Sequence, residues 1–408
     1  MAIALNRRAA PRLGSALAGL GLLVAIAAPM PARSVALDPA LQAPVEARVP
    51  WAPAAVAATD GAGHLAYELH LSNFYRDTGV LRVKRLTVYA DDSDTALADF
   101  QGEALQRIAI PRAPEGAKPA DGVAIGGGLR GELFVWLTLP VARPAPTSLR
   151  HRIEFETTKG TKLWVDGARV ALASAPPVVL GPPLRGGQWL AYEGPSNSQS
   201  HHWGSLVVAN GDVTIPQRYA LDLVGLDARG HAMRDGAGEL RKTKHADWIG
   251  YGADVLAAAD GIVRGARDGE AEHAPLSPQS EPSTLSADAL YGNYVILEIA
   301  PRVYVHYAHL QRGSVAVKIG ERVRRGQSLG RLGQSGNTGG PHLHLHVSNA
   351  PTFEQSEGLP FVFDAFSYSG TRSIDQVLDS TSAFDARPQS RQAQMPLDNA
   401  VIGFDAKP

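Results

Sequence analysis

The sequence predicts an all-β protein in which an antiparallel β-sandwich-like domain precedes a second antiparallel β-sheet domain. The 408 residues include 42 glycines and 29 prolines, spread widely, which favours many turns over long helices. Short segments alternate apolar and polar residues, as half-buried strands do, and glycine, proline and aspartate clusters separate them. Asn210-Gly211 lies between two such segments and is a strong hairpin signal.

The sandwich-like domain is predicted from its strand pattern. Its clearest alternating segments are Leu65–Leu71, Leu81–Tyr89, Leu133–Leu139 and Ile153–Glu156. His64, His70 and His151 are isolated in this region, and an isolated histidine is more often a satisfied or surface residue than a ligand. Prolines and glycines between 176 and 183 predict a linker.

These signals divide the chain into four parts. They are a targeting segment, the sandwich-like accessory domain, a domain that carries the chemistry, and a C-terminal extension, with bounds 1–36, 37–178, 184–350 and 351–408. Residues 265–287 are polar and rich in proline and serine, so we expect a long exposed loop. In the extension we expect Phe361–Phe366 to pack and the later residues to be loose.

The first 36 residues have the pattern of a signal peptide. Arg7, Arg8 and Arg12 precede an apolar run, Leu13–Ala28, and Ser34-Val35-Ala36 is a small-x-small cleavage site. The run is shorter than the ~20 residues that a bilayer span needs, which favours cleavage over an uncleaved anchor. We therefore expect an exported protein of the periplasm or cell envelope, with no membrane span after cleavage.

Charge and cysteine content narrow the chemistry. With 39 basic and 40 acidic residues the net charge is −1, so no basic excess indicates a nucleic-acid partner. Cysteine is absent, which excludes disulfides, thiolate catalysis and cysteine-ligated zinc. A bound metal would have to be held by histidine and carboxylate groups.

The strongest motif is Pro341-His342-Leu343-His344-Leu345-His346-Val347. Because side chains alternate faces on a strand, the three histidines share one face and the aliphatic residues point into the core. Imidazoles in this arrangement can bind a metal and leave one ring for acid–base work.

At this motif the chain resembles the lysostaphin/LytM-type zinc metalloendopeptidases, which are peptidoglycan endopeptidases. Ser335–His344 is similar to the family's terminal His-x-His segment. Four other pieces follow in the family's order: Asp254–Val263, Gly292–Ile296, Tyr307–Leu310 and Val317–Gly330. The resemblance covers about residues 200 to 347 and implies a LytM-type antiparallel β-sheet metallopeptidase domain.

The resemblance also implies residue roles. His344 and Asp222 match zinc ligands, whereas His309 and His342 match the two catalytic histidines that do not bind the metal. The family's first ligand is a histidine four residues before the aspartate, and here that position is Arg218. A guanidinium stays protonated and cannot coordinate zinc. Its planar fork would suit a carboxylate of the substrate, so Arg218 is a candidate substrate-binding residue.

His201 and His202 are candidates for the missing ligand. If a two-residue turn at Asn210-Gly211 pairs their strand with that of Asp222, His201 lies on the Asp222 face. Pro216 lacks an N–H and indicates an edge or a bulge, and a one-residue bulge would bring His202 to that face instead. We favour His202, with His201 as the alternative.

These residues predict a Zn²⁺-dependent peptidase that cleaves stem peptides or cross-links of peptidoglycan, by the resemblance. Two histidines and one aspartate leave the fourth zinc position for water. An alternative is a catalytically inactive LytM-like adaptor that binds or activates other cell-wall hydrolases, which Arg218 favours. A biotinyl- or lipoyl-like carrier needs a lysine at a hairpin tip, and Lys318 lies within its Val-x-x-Gly unit instead.

Overall fold

A computed structural model describes residues 41–110, 121–140, 145–279 and 285–405. The signal peptide predicted over residues 1–36 lies outside the described residues. Within the described ranges, no helix combines the length and the apolar character that a membrane crossing requires. The regular secondary structure of the described residues is mostly antiparallel strands with only short helices, so the predicted all-β class is confirmed.

The accessory half is built from two five-stranded antiparallel sheets. One has the order β1-β3-β8-β6 with β2 on β3, and the other β10-β9-β4-β5 with β7 on β4. The bounds are β1 Glu46–Arg48, β2 Val56–Ala57, β3 Gly63–Asn73, β4 Leu81–Ala90, β5 Ala96–Gln101, α1 Gly102–Arg107, β6 Ala109–Ile110, β7 Val123–Ile125, β8 Leu129–Leu139, β9 Ser148–Thr157 and β10 Lys162–Ala171, with a short 3₁₀ turn at Arg76–Thr78.

Strand alternation explains why these two sheets pack together. Leu65, Tyr67 and Leu69 of β3 and Ile153 and Phe155 of β9 all belong to one buried apolar cluster between the sheets. The predicted alternating segments therefore lie on strands of a sandwich.

The second half is organised around an eleven-stranded sheet. Its order is β11-β23-β25-β12-β15-β22-β19-β18-β17-β20, with β24 on β23, and the β11–β23 pair is parallel. The bounds are β11 Val178–Leu180, β12 Gln188–Tyr192, β13 Val207–Ala209, β14 Asp212–Thr214, β15 Leu221–Leu226, β16 Asp254–Leu256, β17 Gly261–Arg267, α2 Ala287–Leu290, β18 Tyr294–Ala300, β19 Val303–Ala308, β20 Arg322–Val323, β21 Ser328–Arg331, β22 Leu343–Ser348, β23 Phe361–Thr371, α3 Ile374–Leu378, β24 Gln389–Gln394 and β25 Ala400–Gly403, with 3₁₀ turns at Leu240–Lys242 and His245–Asp247.

The register of this sheet places four residues in one row across four strands. Tyr192 of β12 pairs with Asp222 of β15, which pairs with His344 of β22, which pairs with Ala308 of β19. Leu343, Leu345 and Val347 are fully buried in the apolar core, as the alternation predicts. The sheet therefore brings four residues that are far apart in the sequence next to one another.

The structure differs from the sequence expectations at the hairpin. Asn210 and Gly211 form its turn with φ of 50° and 88°, but the paired strands are only three residues long. His201 and His202 lie in a turn before β13, and Asp222 lies on β15, which pairs with β12 and β22. The register argument for the missing ligand is therefore wrong, because Pro216 lies between the two strands and the pairing does not continue through it.

Two other expectations also differ. The C-terminal extension is not loose after Phe366, because β25 lies between β12 and β23 inside the main sheet. The segment expected as an exposed loop contacts the connection between β21 and β22 through a bridge between Glu272 and Ser335, and Leu276 lines the cleft that contains the candidate site. Residues 280–284 of that segment lie outside the described residues.

The two halves share apolar contacts. Val56, Ala66 and Phe134 of the accessory half belong to the same buried cluster as the core of the second half. The proposed division near residues 178–184 stays a prediction, and limited proteolysis that releases a stable fragment from about residue 184 would support it.

Candidate metal centre

Asp222 is the meeting point of three histidines. Its Oδ1 lies 3.5 Å from Nε2 of His202, 3.3 Å from Nε2 of His342 and 3.0 Å from Nδ1 of His344. The Asp222 carboxylate is buried, with 6% of its side chain exposed. Three nitrogens converging on one buried carboxylate oxygen is the arrangement expected around a small cation.

The His202 ring is oriented by its other nitrogen. Nδ1 lies 3.1 Å from the backbone oxygen of Glu193, and a carbonyl only accepts hydrogen bonds. Nδ1 therefore carries the hydrogen, and the lone pair of Nε2 faces Asp222. Ser200 supports the same turn, because its Oγ donates to the Glu193 oxygen at 2.9 Å and accepts from the His202 N–H at 3.1 Å.

The donor set fits a zinc ion. Ligands at ~2.0–2.1 Å from a tetrahedral zinc are about 3.3 Å from one another, and the contacts of Asp222 Oδ1 to His202 and His344 bracket that separation. A metal on Nδ1 of His344 leaves its hydrogen on Nε2, which lies 2.9 Å from Nδ1 of His346. Such an outer partner fixes the ring of a metal-binding histidine.

His201 lies beside this group but in a different environment. Donor atoms of His201, His202 and Asp222 all fall within 4.8 Å of one another, so either histidine could reach a metal near Asp222. The His201 side chain is 66% exposed, whereas that of His202 is 3% exposed. His201 Nδ1 lies 3.5 Å from the carboxylate of Glu193.

His309, which follows β19, and His342, which precedes β22, line the same cleft. Their ring centroids are 4.8 Å apart. Nδ1 of His309 donates to Ser335 O at 2.8 Å and Nδ1 of His342 to Gly340 O at 2.9 Å, so each ring presents its Nε2 to the cleft, that of His342 toward Asp222 at 3.3 Å. His309 has a φ of +61°, a left-handed conformation that is uncommon for residues other than glycine.

Burial and charge push the pKa values of these groups apart. Burial holds the pKa of His309 well below its ordinary value. Burial also opposes protonation of His342, but the charge and hydrogen bond of Asp222 outweigh it and raise its pKa. Burial would raise the pKa of Asp222, yet the nearby His342 and His202 rings hold it well below the ordinary value. The carboxylate is therefore ionised and the two cleft histidines are electrostatically distinct.

Arg218 is not at the cleft. Its side chain is 3% exposed; Nε donates to Glu357 Oε1 at 2.6 Å, and Nη1 donates to Glu68 of β3. Both forks of the guanidinium are thus occupied by carboxylates of the chain itself. The substrate-binding role considered for Arg218 is corrected on this ground, because in this conformation the group is not available to a ligand.

The sequence-predicted residues that converge at the site are His202, Asp222, His309, His342 and His344, with His201 adjacent. They line a cleft of ≈ 410 Å³ whose apolar wall includes Trp248, Leu276, Ile374 and Leu378. Ile374 and Leu378 come from α3 of the C-terminal extension, four residues apart on one helix face.

Sequence reasoning missed two polar contributors. Gln217 lies next to Arg218 and lines the cleft beside His344. The backbone oxygen of Glu193 orients His202, and Glu193 itself has a φ of +54°. No sequence motif includes either group. Gln217 lies in an irregular segment, and the Glu193 oxygen is a main-chain atom, which the residue type does not reveal.

With the fold and the site described, known proteins provide a comparison. Residues 246–355 match the model of Peptidase family M23. This segment includes His309, His342 and His344, whereas His202 and Asp222 precede it. The resemblance predicted from the motifs is thus confirmed.

Two similar proteins come from Vibrio cholerae. The chain is 32% identical over 108 residues to "Peptidoglycan DD-endopeptidase ShyC", covering 26% of this chain and 20% of that protein. It is 33% identical over 109 residues to "Peptidoglycan DD-endopeptidase ShyB", covering 26% and 24%. The chain therefore matches only about a fifth to a quarter of the length of these relatives. The catalytic domain of the prophage-encoded M23 protein EnpA from Enterococcus faecalis has 18% identity and a TM-score of 0.20, covering 32% of this chain and 93% of that one.

Proposed function

We propose that this protein is an exported zinc metalloendopeptidase that hydrolyses peptide bonds in the stem peptides or cross-links of peptidoglycan. One observation carries the proposal: the buried Asp222 oxygen has three imidazole nitrogens at 3.0–3.5 Å, in a cleft that also contains His309. The names of the relatives from Vibrio cholerae support the substrate class, and action on the wall would place the protein in the cell envelope.

In this proposal His202, Asp222 and His344 hold the zinc ion. When bound, zinc acts as a Lewis acid that polarises the scissile carbonyl and lowers the pKa of a water molecule toward ~7. The buried carboxylate supplies a fixed negative charge. Burial lowers the pKa of His202 to about 3 and keeps the ring in the neutral form that a metal requires, while the Glu193 carbonyl fixes its tautomer.

His309 and His342 carry out the proton transfers. Each ring has its Nδ1 hydrogen committed to a backbone carbonyl, so its Nε2 is the atom that can accept or donate a proton in the cleft. One of them removes the proton of the attacking water, and the other stabilises the developing oxyanion or protonates the leaving amine. The hydrogen bond from its Nδ1 to Ser335 O orients the His309 ring, which lines the cleft.

A peptide substrate suits the cleft on both its polar and apolar sides. The glycine-rich segment Asn337–Gly340 borders it beside the histidines, with Trp248 against Gly340, and the α3 residues Ile374 and Leu378 add to the apolar lining. Apolar walls with a few convergent polar groups are typical of sites that orient a ligand.

The adaptor alternative rests on Arg218, which occupies the place of the family's first ligand. If the protein is such an adaptor, the site binds no zinc and cleaves no peptide bond. His202 weakens this alternative, because a second imidazole reaches Asp222 from another part of the chain.

Digestion of purified sacculi by the zinc-loaded mature protein tests the proposal. We expect release of new amine termini, loss of that release after chelation, and recovery when zinc is restored. Asp222→Ala should bind no tight zinc and release nothing, since it removes the group on which the histidines converge. Absence of new amine termini from every sacculus type with a zinc-loaded wild type would favour the adaptor instead.

A further inference from the structure

The β1-β3-β8-β6 sheet of the accessory half, the accessory sheet, has an outer face whose centre is buried. On β3 and β8 the odd-numbered residues fill the sandwich core, as Tyr67 and Val135 do. The even-numbered residues Ala66, Glu68 and Phe134 are also buried, with at most 3% of each exposed. This second face is covered by the half of the chain that carries the candidate metal centre.

Trp203, the residue directly after His202, is one of the groups that cover this face. It is 1% exposed and packs edge-to-face on Phe134 and Trp136 of β8, with ring centroids 5.8 and 6.0 Å away. Edge-to-face aromatic pairs have a preferred geometry, so these contacts fix the direction as well as the position of the indole. His202 and Trp203 are adjacent, and the turn that holds one therefore holds the other.

The segment leading to Asp222 is anchored on the same face. Arg218 pairs with Glu68 of β3, and Tyr219 lies in the same buried apolar cluster as Ala66 of β3. A buried carboxylate without a partner is costly, so Glu68 and Arg218 depend on each other. The segments that contain His202 and Asp222 both precede the residues that match Peptidase family M23. Both segments thus contact the accessory sheet.

The His202 turn needs such an anchor for a physical reason. It lies in the irregular segment between β12 and β13, where no strand ladder fixes the backbone. Asp222 and His344, by contrast, face each other across paired strands. A metal ligand must be held near its productive geometry by the packing of its surroundings.

We propose that the accessory sheet completes the metal site, with Trp203, Phe134 and Trp136 as positioning residues that hold His202 toward Asp222. This inference rests on the proposed function, because it concerns the affinity for zinc. It gives the accessory half a role within the chain, and it explains how a histidine on a turn can replace a ligand that Arg218 excludes.

Zinc affinity of full-length variants, measured by competition with a chelator of known affinity, tests the inference. Phe134→Leu and Trp136→Leu alter the surface under Trp203, and Trp203→Ala removes the indole itself. We expect zinc binding to weaken ~10–100-fold in each, the range typical for loss of a partner that orients a metal ligand. Trp203→Phe keeps an aromatic ring and should recover most of the affinity.

Phe155→Leu is the matched control. Phe155 is 1% exposed in the sandwich core on β9, so the substitution changes a buried phenylalanine of the same half on the other sheet. Zinc affinity within twofold of wild type for this control, with weaker binding for Phe134→Leu and Trp136→Leu, supports the inference. Circular dichroism of every variant should match that of the wild type, which keeps the comparison among folded proteins.

The outcomes separate the two proposals. If the wild type binds zinc tightly and the Phe134, Trp136 and Trp203 variants bind it equally well, the accessory sheet does not position His202 and the inference is overturned, while the proposed function stands. Equal weakening in Phe155→Leu also overturns it, because the effect is then one of general stability. A wild type that binds no zinc overturns the proposed function, and this inference falls with its premise.

Discussion

Buried histidines occur in both halves of the chain, but their partners differ. In the accessory half His64 and His151 have local partners: His64 Nε2 lies 3.0 Å from Asp60, and His151 lies between the Tyr67 hydroxyl at 2.8 Å and the Ala168 oxygen at 2.7 Å. His70 is also buried, and its ring nitrogens have no hydrogen-bond partner among the described residues. In the second half three histidines share the single oxygen of one buried aspartate. Burial of a histidine alone does not indicate a metal site, whereas the convergence of several histidines on one charged oxygen does.

This contrast has a chemical basis. A single histidine with one carbonyl or hydroxyl partner satisfies its own hydrogen-bonding groups and contributes to packing. Several neutral imidazoles around a carboxylate leave lone pairs that point at one another, and a cation relieves that arrangement. The same residue type therefore has a structural role in one half and a candidate catalytic role in the other.

The largest expected effect is loss of the metal through His202. His202→Ala should abolish tight zinc binding, reducing affinity by more than the ~100-fold that loss of an outer partner costs. His201→Ala should keep the metal, because that side chain is 66% exposed and the oriented lone pair near Asp222 belongs to His202. Metal analysis of both variants measures this, and full retention in both single variants and in the double variant would contradict it.

The next effect is on rate rather than binding. His309→Ala and His342→Ala should keep zinc and lose ~10²–10⁴-fold in peptidoglycan hydrolysis, since a general acid or base contributes that factor. His231→Ala is a control: its Nε2 bonds to Ser382 O at 3.0 Å. Release of amine termini and zinc content should be measured on the same samples. Loss of zinc from either cleft variant would show that it is a ligand and not an acid–base group.

Those parts of the fold that depend on nearby residues were predictable from the sequence. The alternation in Pro341–Val347 places its histidines on one face and its aliphatic residues in the core, and the structure has this arrangement. Strand alternation also located the sandwich strands, such as β3 and β9. These features follow from a period of two within one segment.

Features that depend on distant partners were not predictable. Glu68 looks like a solvent-facing residue of an alternating strand, but its partner Arg218 is 150 residues further along the chain. Strand β24 spans Gln389–Gln394 and is mostly polar, so its sequence does not predict a strand. Only its pairing with β23 shows that it belongs to the sheet. His202 was favoured on a register that the chain does not adopt, and it reaches Asp222 through a turn instead.

The smallest effect concerns the accessory half and its own buried histidine. His151 is fully buried, with Tyr67 on one ring nitrogen and Ala168 on the other. Burial lowers the pKa of His151 to about 4, although its hydrogen bond to the Ala168 carbonyl favours the charged form. In the unfolded chain a histidine has a pKa of ~6.5.

Between these two values the unfolded chain binds a proton that the folded protein excludes. The free energy of unfolding therefore decreases as the pH falls from ~6.5 toward 4, and at pH ~4.5 the loss attributable to His151 is about 2 kcal/mol. His151→Gln keeps a group that can accept from Tyr67 and donate to Ala168, but it does not titrate, so its acid-dependent loss should be smaller by that amount. Urea unfolding of both proteins at pH ~7 and ~4.5, with chelator present throughout so that metal release does not contribute, measures the difference. Equal losses in the two proteins would mean that His151 takes up its proton without unfolding, and that the accessory half tolerates a charge at this buried ring.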